Sequence, residues 1–257
     1  MTVNLHTHTF RCGHATGTEE EYILRGIENG IEVMGFSDHA PFVFPDGYQS
    51  HYRVPMDEAK DYFDTLYKLR EKYKDEIEIL IGFEMEYYPL YFKDMYKTVK
   101  DLGAEYLILG QHFTGNEHPN GAGTSMTLKP MKQLTEYVDC VIEGIKTGVF
   151  TYVCHPDMIN ATSDMDAYIW EMTRLCKAVK EYDIPLEINF YGIRDNRFYP
   201  FEEFWRIAGS LGCKVVYGFD AHDVGSAFDG ESIPAADRIV SKYGLTLIER
   251  PKIVTLT

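Results

Sequence analysis

Short runs rich in β-branched and aromatic residues alternate with amphipathic stretches seven times along the chain, which limits the fold to a few architectures. The runs are Val3–His8, Val33–His39, Ile77–Glu86, Tyr106–His112, Val149–His155, Leu186–Gly192 and Lys214–His222. Their ends follow one another at intervals of about 36 residues, the length of a strand–helix unit. Between them the spacing predicts helices over Thr18–Asn29, Pro55–Tyr73, Pro89–Leu102, Pro130–Thr147, Asp164–Tyr182, Pro200–Leu211 and Pro234–Tyr243. Thr18 and Glu21 form a capping box, and Pro or Asp stands near most other starts.

Such repetition implies a parallel sheet flanked by helices. With seven units and no Gly-rich phosphate loop, a closed or nearly closed α/β barrel is favoured over a doubly wound sheet. The expected domain spans 1–257 as one unit. Its end, Leu245–Thr257, interrupted by Pro251, reads as a short β-like tail and not as an eighth unit. Pro41–His51 and Thr114–Lys129 are long loops of Gly, Pro and Asn, the kind that carries function.

Composition narrows the function. Apolar residues make up 45% of the chain, ample for a core, and no run approaches the roughly 18 apolar residues of a membrane span. The 40 acidic against 25 basic residues leave a net charge of -15, which repels a phosphate backbone and argues against polymeric nucleic acid. The start, Met1–His6, lacks the basic and apolar regions of a secretory signal, and the 5 cysteines form no CxxC. A cytoplasmic, thiol-reduced protein is expected.

Chemistry gathers at the ends of the predicted strands. Strand one ends His6-Thr7-His8, strand two Asp38-His39, strand three Glu84-Met85-Glu86, strand four His112, strand five His155, and strand seven Asp220-Ala221-His222. Side chains alternate along a strand, so His6 and His8 face one way together, as do Asp220 and His222. A barrel carries its active site at the C-terminal strand ends, where these residues fall, with His14 on the first loop. Imidazole and carboxylate at one rim suit Zn, Mn or Fe. By the same alternation Cys154 is expected to face away from the site, while Cys12 lies near enough to make it oxidant-sensitive.

In order, HxH, His14, DH, GFE, QH, HPD and DAH resemble the PHP family of metal-dependent phosphoesterases, from residue 3 to about residue 225. The histidinol-phosphatase branch is the most similar, through Arg53, Gly82-Phe83-Glu84, Leu186-Glu187-Ile188-Asn189, Arg194 and Tyr199-Pro200. The resemblance implies a distorted TIM-like (β/α)7 barrel holding two to three divalent metal ions. It implies one metal on His6, His8, Glu84 and Asp220, a second on Glu84, His112 and His155, and a third on His14, His39 and His222. Glu84 then bridges the first two, with Glu86, Asp38 and Asp157 as orienting or capping residues.

The implied reaction is hydrolysis of a small anionic phosphate ester, L-histidinol phosphate first, by metal-bound hydroxide, with Glu84 and Asp220 central. An arginine fork suits the phosphate oxygens. Arg194, at the family's position after the strand-six Asn, is the first candidate; Arg53 and Arg197 follow, since a solvated surface place is the commoner one for either. The family's basic position after the fifth strand is Asn160 here. His118 is expected at the surface. Another small phosphate ester or an oligonucleotide end, an amidohydrolase-like C–N or C–O hydrolysis, and a non-enzymatic metal-storing barrel are the alternatives. Oligomeric state is not legible.

Overall fold

The computed structural model describes residues 1–124 and 129–256; residues 125–128 of the Thr114–Lys129 loop and Thr257 of the tail lie outside the described residues. Strands β1 (Val3–Asn4), β2 (Val33–Phe36), β3 (Glu78–Met85) and β4 (Tyr106–Leu109) pair in parallel in chain order. Strands β5 (Phe113–Thr114) and β6 (Ala122–Gly123) form a small antiparallel pair inside the second long loop. A second parallel set holds β7 (Leu186–Asn189), β8 (Lys214–Gly218) and β9 (Thr246–Leu247).

Two narrow junctions join the sets. Val153 bridges Leu109 on one side and Leu186 on the other, and Thr7 bridges Ala221. The sheet therefore curls back on itself, a distorted α/β barrel of seven strand positions with β9 added beside β8. The fifth expected strand is shorter than Val149–His155. Thr151, Val153 and Cys154 donate backbone hydrogen bonds to its neighbours, and then His155, at φ 31, turns the chain away. The sixth also stops early: the Asn189 side chain accepts from Gly192 N (3.0 Å) and starts a helix where strand was expected.

The helices are α1 (Glu19–Glu28), α2 (Ala59–Tyr73), α3 (Phe92–Leu102), α4 (Met131–Lys146), α5 (Met165–Glu181), α6 (Phe190–Arg194), α7 (Glu202–Ser210) and α8 (Ile233–Tyr243). Thr18 and Glu21 close the capping box in both directions. Thr18→Ala is expected to cost about 1 kcal/mol. At about 2–4 °C per kcal/mol for a chain of this size, thermal denaturation resolves it.

The main core packs helix faces (Tyr22, Tyr62, Leu66, Trp205) against the outer faces of the strands. A smaller cluster, Val3, Leu5, Val33, Tyr106, Ile108, Tyr152, Cys154 and Val216, fills the inside of the curl. Tyr106 spans this interior, donating to Leu5 O (2.9 Å) and Phe36 O (3.1 Å). This filled interior is the floor of the site described next.

Candidate metal centre

Glu84 lies near the end of β3, and its carboxylate faces five imidazoles. Oε2 is 3.5 Å from His6 Nε2, 3.3 Å from His8 Nε2 and 3.2 Å from His39 Nδ1. Oε1 is 3.3 Å from His112 Nε2 and 2.7 Å from His155 Nε2. Asp220 Oδ1 lies 3.5 Å from His6 Nε2, 3.4 Å from His8 Nε2 and 3.3 Å from His222 Nδ1. On the solvent side His14 and His222 face each other, Nε2 to Nε2, at 3.0 Å, and the His14 ring centroid is 5.2 Å from that of His39. The fold thus brings together the nine residues expected from sequence as metal ligands.

The backbone makes room for the cluster. A Cβ on Gly110 would lie 1.8 Å from Glu84 Oε1, and one on Gly218 would lie 1.7 Å from Glu187 Oε1. His155 and Asp220 sit at φ 31 and φ 47, a left-handed backbone that non-glycine residues adopt at a cost of ~1–3 kcal/mol. These turns break strand alternation at the rim. Cys154 consequently does not face away: its Sγ donates to Glu84 Oε1 at 3.3 Å. Cys12 is buried beside His8 and Asp38 and donates to Thr9 O (3.1 Å).

Carboxylates outside the cluster aim the rings. His6 Nδ1 donates to Glu187 Oε1 (2.7 Å), which turns Nε2 toward Glu84 and Asp220. Glu187 Oε2 in turn accepts from His155 N (3.0 Å) and Asn189 Nδ2 (2.8 Å), and Asn189 Nδ2 also donates to Asp220 Oδ2 (3.0 Å). His112 Nδ1 donates to Glu86 Oε1 (3.0 Å), the orienting place expected for Glu86. Asp38 accepts from Thr9 N (2.8 Å) and Thr9 Oγ1 (2.9 Å) and so shapes the turn after β1, while Asp157 accepts from Phe201 N at the start of α7. Such partners fix the ring orientation of metal-binding histidines.

Charge divides the cluster in two. Burial opposes a charge on Glu84, yet His112, His39, His155 and His6 together hold its carboxyl well below the usual carboxylate range. Burial likewise opposes a charge on His6, but Glu187, Asp220 and Glu84 raise its pKa to about 10. His14, by contrast, is lowered to about 4 by burial and by His222, and burial also carries His39 well below its ordinary value. The inner rings His6 and His8 attract positive charge, whereas burial disfavours it on His14 and His39.

The donor set fits divalent cations. His6 Nε2, His8 Nε2 and His39 Nδ1 are buried without a hydrogen-bond partner, although each lies beside a carboxylate oxygen. A divalent cation held by these rings and carboxylates would satisfy both, in place of the proton that the inner rings would otherwise hold. Among the described residues the groups His6–His8–Asp220, His39–Glu84–His112 and His8–His39–His222 each converge closely enough to hold an ion.

Residues 4–190 match the PHP domain family. The chain belongs to the PHP family. A probable histidinol-phosphatase of Deinococcus radiodurans is 24% identical over 225 residues, 86% of this chain and 86% of the relative. A probable phosphatase of Acetivibrio thermocellus is 25% identical over 226 residues, 86% of this chain and 79% of the relative. In fold the chain is similar to the histidinol phosphate phosphatase of Lactococcus lactis, solved with zinc, L-histidinol and phosphate. The TM-score is 0.71 at 19% identity, over 96% of this chain and 95% of that one. A putative histidinol phosphatase of Listeria monocytogenes gives 0.70 at 20% identity, over 90% of this chain and 99% of that one.

Above the PHP donor set opens a cavity of about 310 Å³, walled by Tyr52, Phe113, Met158, Tyr191, Tyr199 and Arg197. The three candidate arginines take different places relative to this cavity. Arg194 ends the short helix α6 and turns away: it pairs with Asp229 (2.9 Å) and donates to Phe219 O and Asp220 O (both 3.3 Å). Its role is to brace the backbone on which Asp220 sits. Arg53 is neither at the surface nor in the cavity; it is buried, with Glu86 (2.8 Å) and Glu117 (2.7 Å) on its guanidinium. Arg197 is the arginine that reaches the cavity, stacked 4.0 Å over Tyr191, whose ring also lies 5.3 Å from the Arg194 guanidinium and 5.1 Å from the His222 ring. His118 pairs with Asp46 (2.7 Å) and stacks on Tyr48, which joins the two long loops.

Glu187, Asn189, Glu117 and the tyrosines of the cavity wall were not singled out as site residues from sequence. Glu187 had a signal, since a glutamate inside the apolar run Leu186–Asn189 needs a buried partner. Glu117 had none. Among the described residues no helix is long and apolar enough to cross a membrane.

Proposed function

We propose that this PHP protein is a metal-dependent phosphomonoesterase that hydrolyses L-histidinol phosphate to L-histidinol and phosphate. The observation that carries the reading is Glu84: one carboxylate with each oxygen turned to a different group of imidazoles, the arrangement that spaces two cations for one phosphate. In support of the substrate stand the probable histidinol-phosphatase of Deinococcus radiodurans and the Lactococcus lactis structure with zinc, L-histidinol and phosphate.

His6, His8, Asp220 and Glu84 would hold one ion, Glu84, His112 and His155 a second, and His14, His39 and His222 a third. When bound, the ions neutralise a phosphate dianion and acidify water. Residues of the chain supply the rest. Glu187 and Glu86 keep His6 and His112 aimed, so little reorganisation accompanies charge transfer. Arg197 is placed to take phosphate oxygens at the mouth, held flat by Tyr191. Tyr52, Phe113, Met158 and Tyr199 present an apolar wall to the leaving group and limit water.

Arg197→Ala is expected to lower kcat/KM about 10–150-fold, the equivalent of a charged hydrogen bond of ~1.5–3 kcal/mol. Arg194→Ala is expected to act instead through the position of Asp220. The deciding assay follows phosphate release from L-histidinol phosphate, simple phosphomonoesters and a short oligonucleotide after loading with Zn, Mn or Fe. Selective turnover of L-histidinol phosphate, abolished by chelation and restored by metal, supports the reading. Broad, weak turnover of all esters rejects the substrate, and no phosphate release by metal-loaded protein rejects the phosphatase.

A further inference from the structure

Glu117 lies on the surface loop between β5 and β6, yet its side chain is only 5% exposed. Its carboxylate collects donors from two separate segments, residues 50–53 and Tyr88. Tyr52 OH gives 2.7 Å, Tyr88 OH 3.1 Å, Arg53 NH2 2.7 Å and Arg53 Nε 3.3 Å, and Ser50 Oγ donates as well. Arg53 passes the contact on, since the same NH2 reaches Glu86 Oε2 at 2.8 Å, and Glu86 accepts from His112 Nδ1 at 3.0 Å. Tyr52 passes it on in a second direction. Its ring meets His39 edge-on at 5.2 Å between centroids and His14 at 6.4 Å.

Arg53 and Glu86 alone would form a balanced pair that suffices to hold His112. A second carboxylate brought into the same buried site leaves the trio one positive charge short. His112, and a cation on its far nitrogen, is the group in contact with the trio that restores the balance. We infer that Glu117 is a positioning residue: it latches the β5–β6 loop onto the site and thereby orients the outer imidazoles, His112 through Arg53 and Glu86, and His39 and His14 through Tyr52. Docking of the loop and assembly of the outer half of the donor set are then one event. The cavity wall built by Phe113 comes into place with them.

This inference rests on reading the site as a metal centre, and the test separates the two. Wild type, Glu117→Gln, Glu117→Asp and Glu187→Gln are stripped with chelator and dialysed against Zn or Mn, and bound metal is counted by mass spectrometry. Glu117→Gln is expected to bind one or more ions about 10–100-fold more weakly, with the remaining ions held as in wild type. Glu187→Gln, which acts on His6, weakens an inner ion instead. Activity lost in Glu117→Gln returns at high metal concentration, and Glu117→Asp lies between the two. Thermal denaturation of the metal-free proteins shows that the variants fold. Unchanged metal number and affinity in a folded Glu117→Gln overturns the inference, as does a loss of activity that excess metal does not restore. A wild-type protein that binds no divalent ion overturns the reading of the site itself.

Discussion

Glu84→Gln is expected to cut phosphate release by about 10³-fold or more. The substitution keeps the shape and removes the charge on which His6, His8 and His39 converge from one side and His112 and His155 from the other. A carboxylamide cannot offer an anionic oxygen to both groups, and its NH2 cannot take a cation in place of an oxygen. Stabilisation of transition-state charge by bound metals is worth several kcal/mol, and each 1.36 kcal/mol is a decade in rate. Rotation cannot relieve the change, because the side chain packs against Gly110, where even a methyl group would overlap it. Phosphate release and metal content measured together decide the matter. A Glu84→Gln protein that keeps its metals and its rate sinks the bridging role.

Arg53→Met is expected to have the largest effect on stability. It leaves Glu86 and Glu117 buried within reach of one another with no cation between them. Loss of one partner from a buried ion pair costs ~3–5 kcal/mol. For a chain of this size that amounts to a fall in Tm of about 6–20 °C. Denaturation of the metal-free proteins isolates the term from metal binding. Adding Glu117→Gln to Arg53→Met should recover part of the loss, because one uncompensated charge disappears; additive losses in the double variant would contradict the account.

Much of the site was legible because a barrel turns a one-dimensional spacing into a ring. His6, His8, His39, Glu84, His112, His155, Asp220 and His222 recur at the ends of the β-rich runs, and parallel strands of one sheet must end on the same side. What failed was alternation at the strand ends. The argument that sends Cys154 away from His155 assumes extended backbone, and His155 at φ 31 is not extended. The placement of the arginines was not legible for a related reason: Asn189 caps a helix where strand was expected, so Arg194 meets the Asp220 carbonyl and Arg197 lines the cavity. Arg53 was misread because charge alone suggests solvent, whereas two distant carboxylates bury it.

The sequence by itself determined the layered α/β architecture, the rim on which chemistry collects and the residue types that can hold metal. Periodicity and ligand chemistry are local properties and survive without coordinates. Only the tertiary structure decided which oxygen of Glu84 faces which ring, that Glu187 and Glu86 aim His6 and His112, and that a loop carboxylate, Glu117, reaches the site through Arg53. Those contacts join residues up to 181 positions apart, and their existence depends on turns, caps and positive-φ residues whose angular consequences accumulate along the chain.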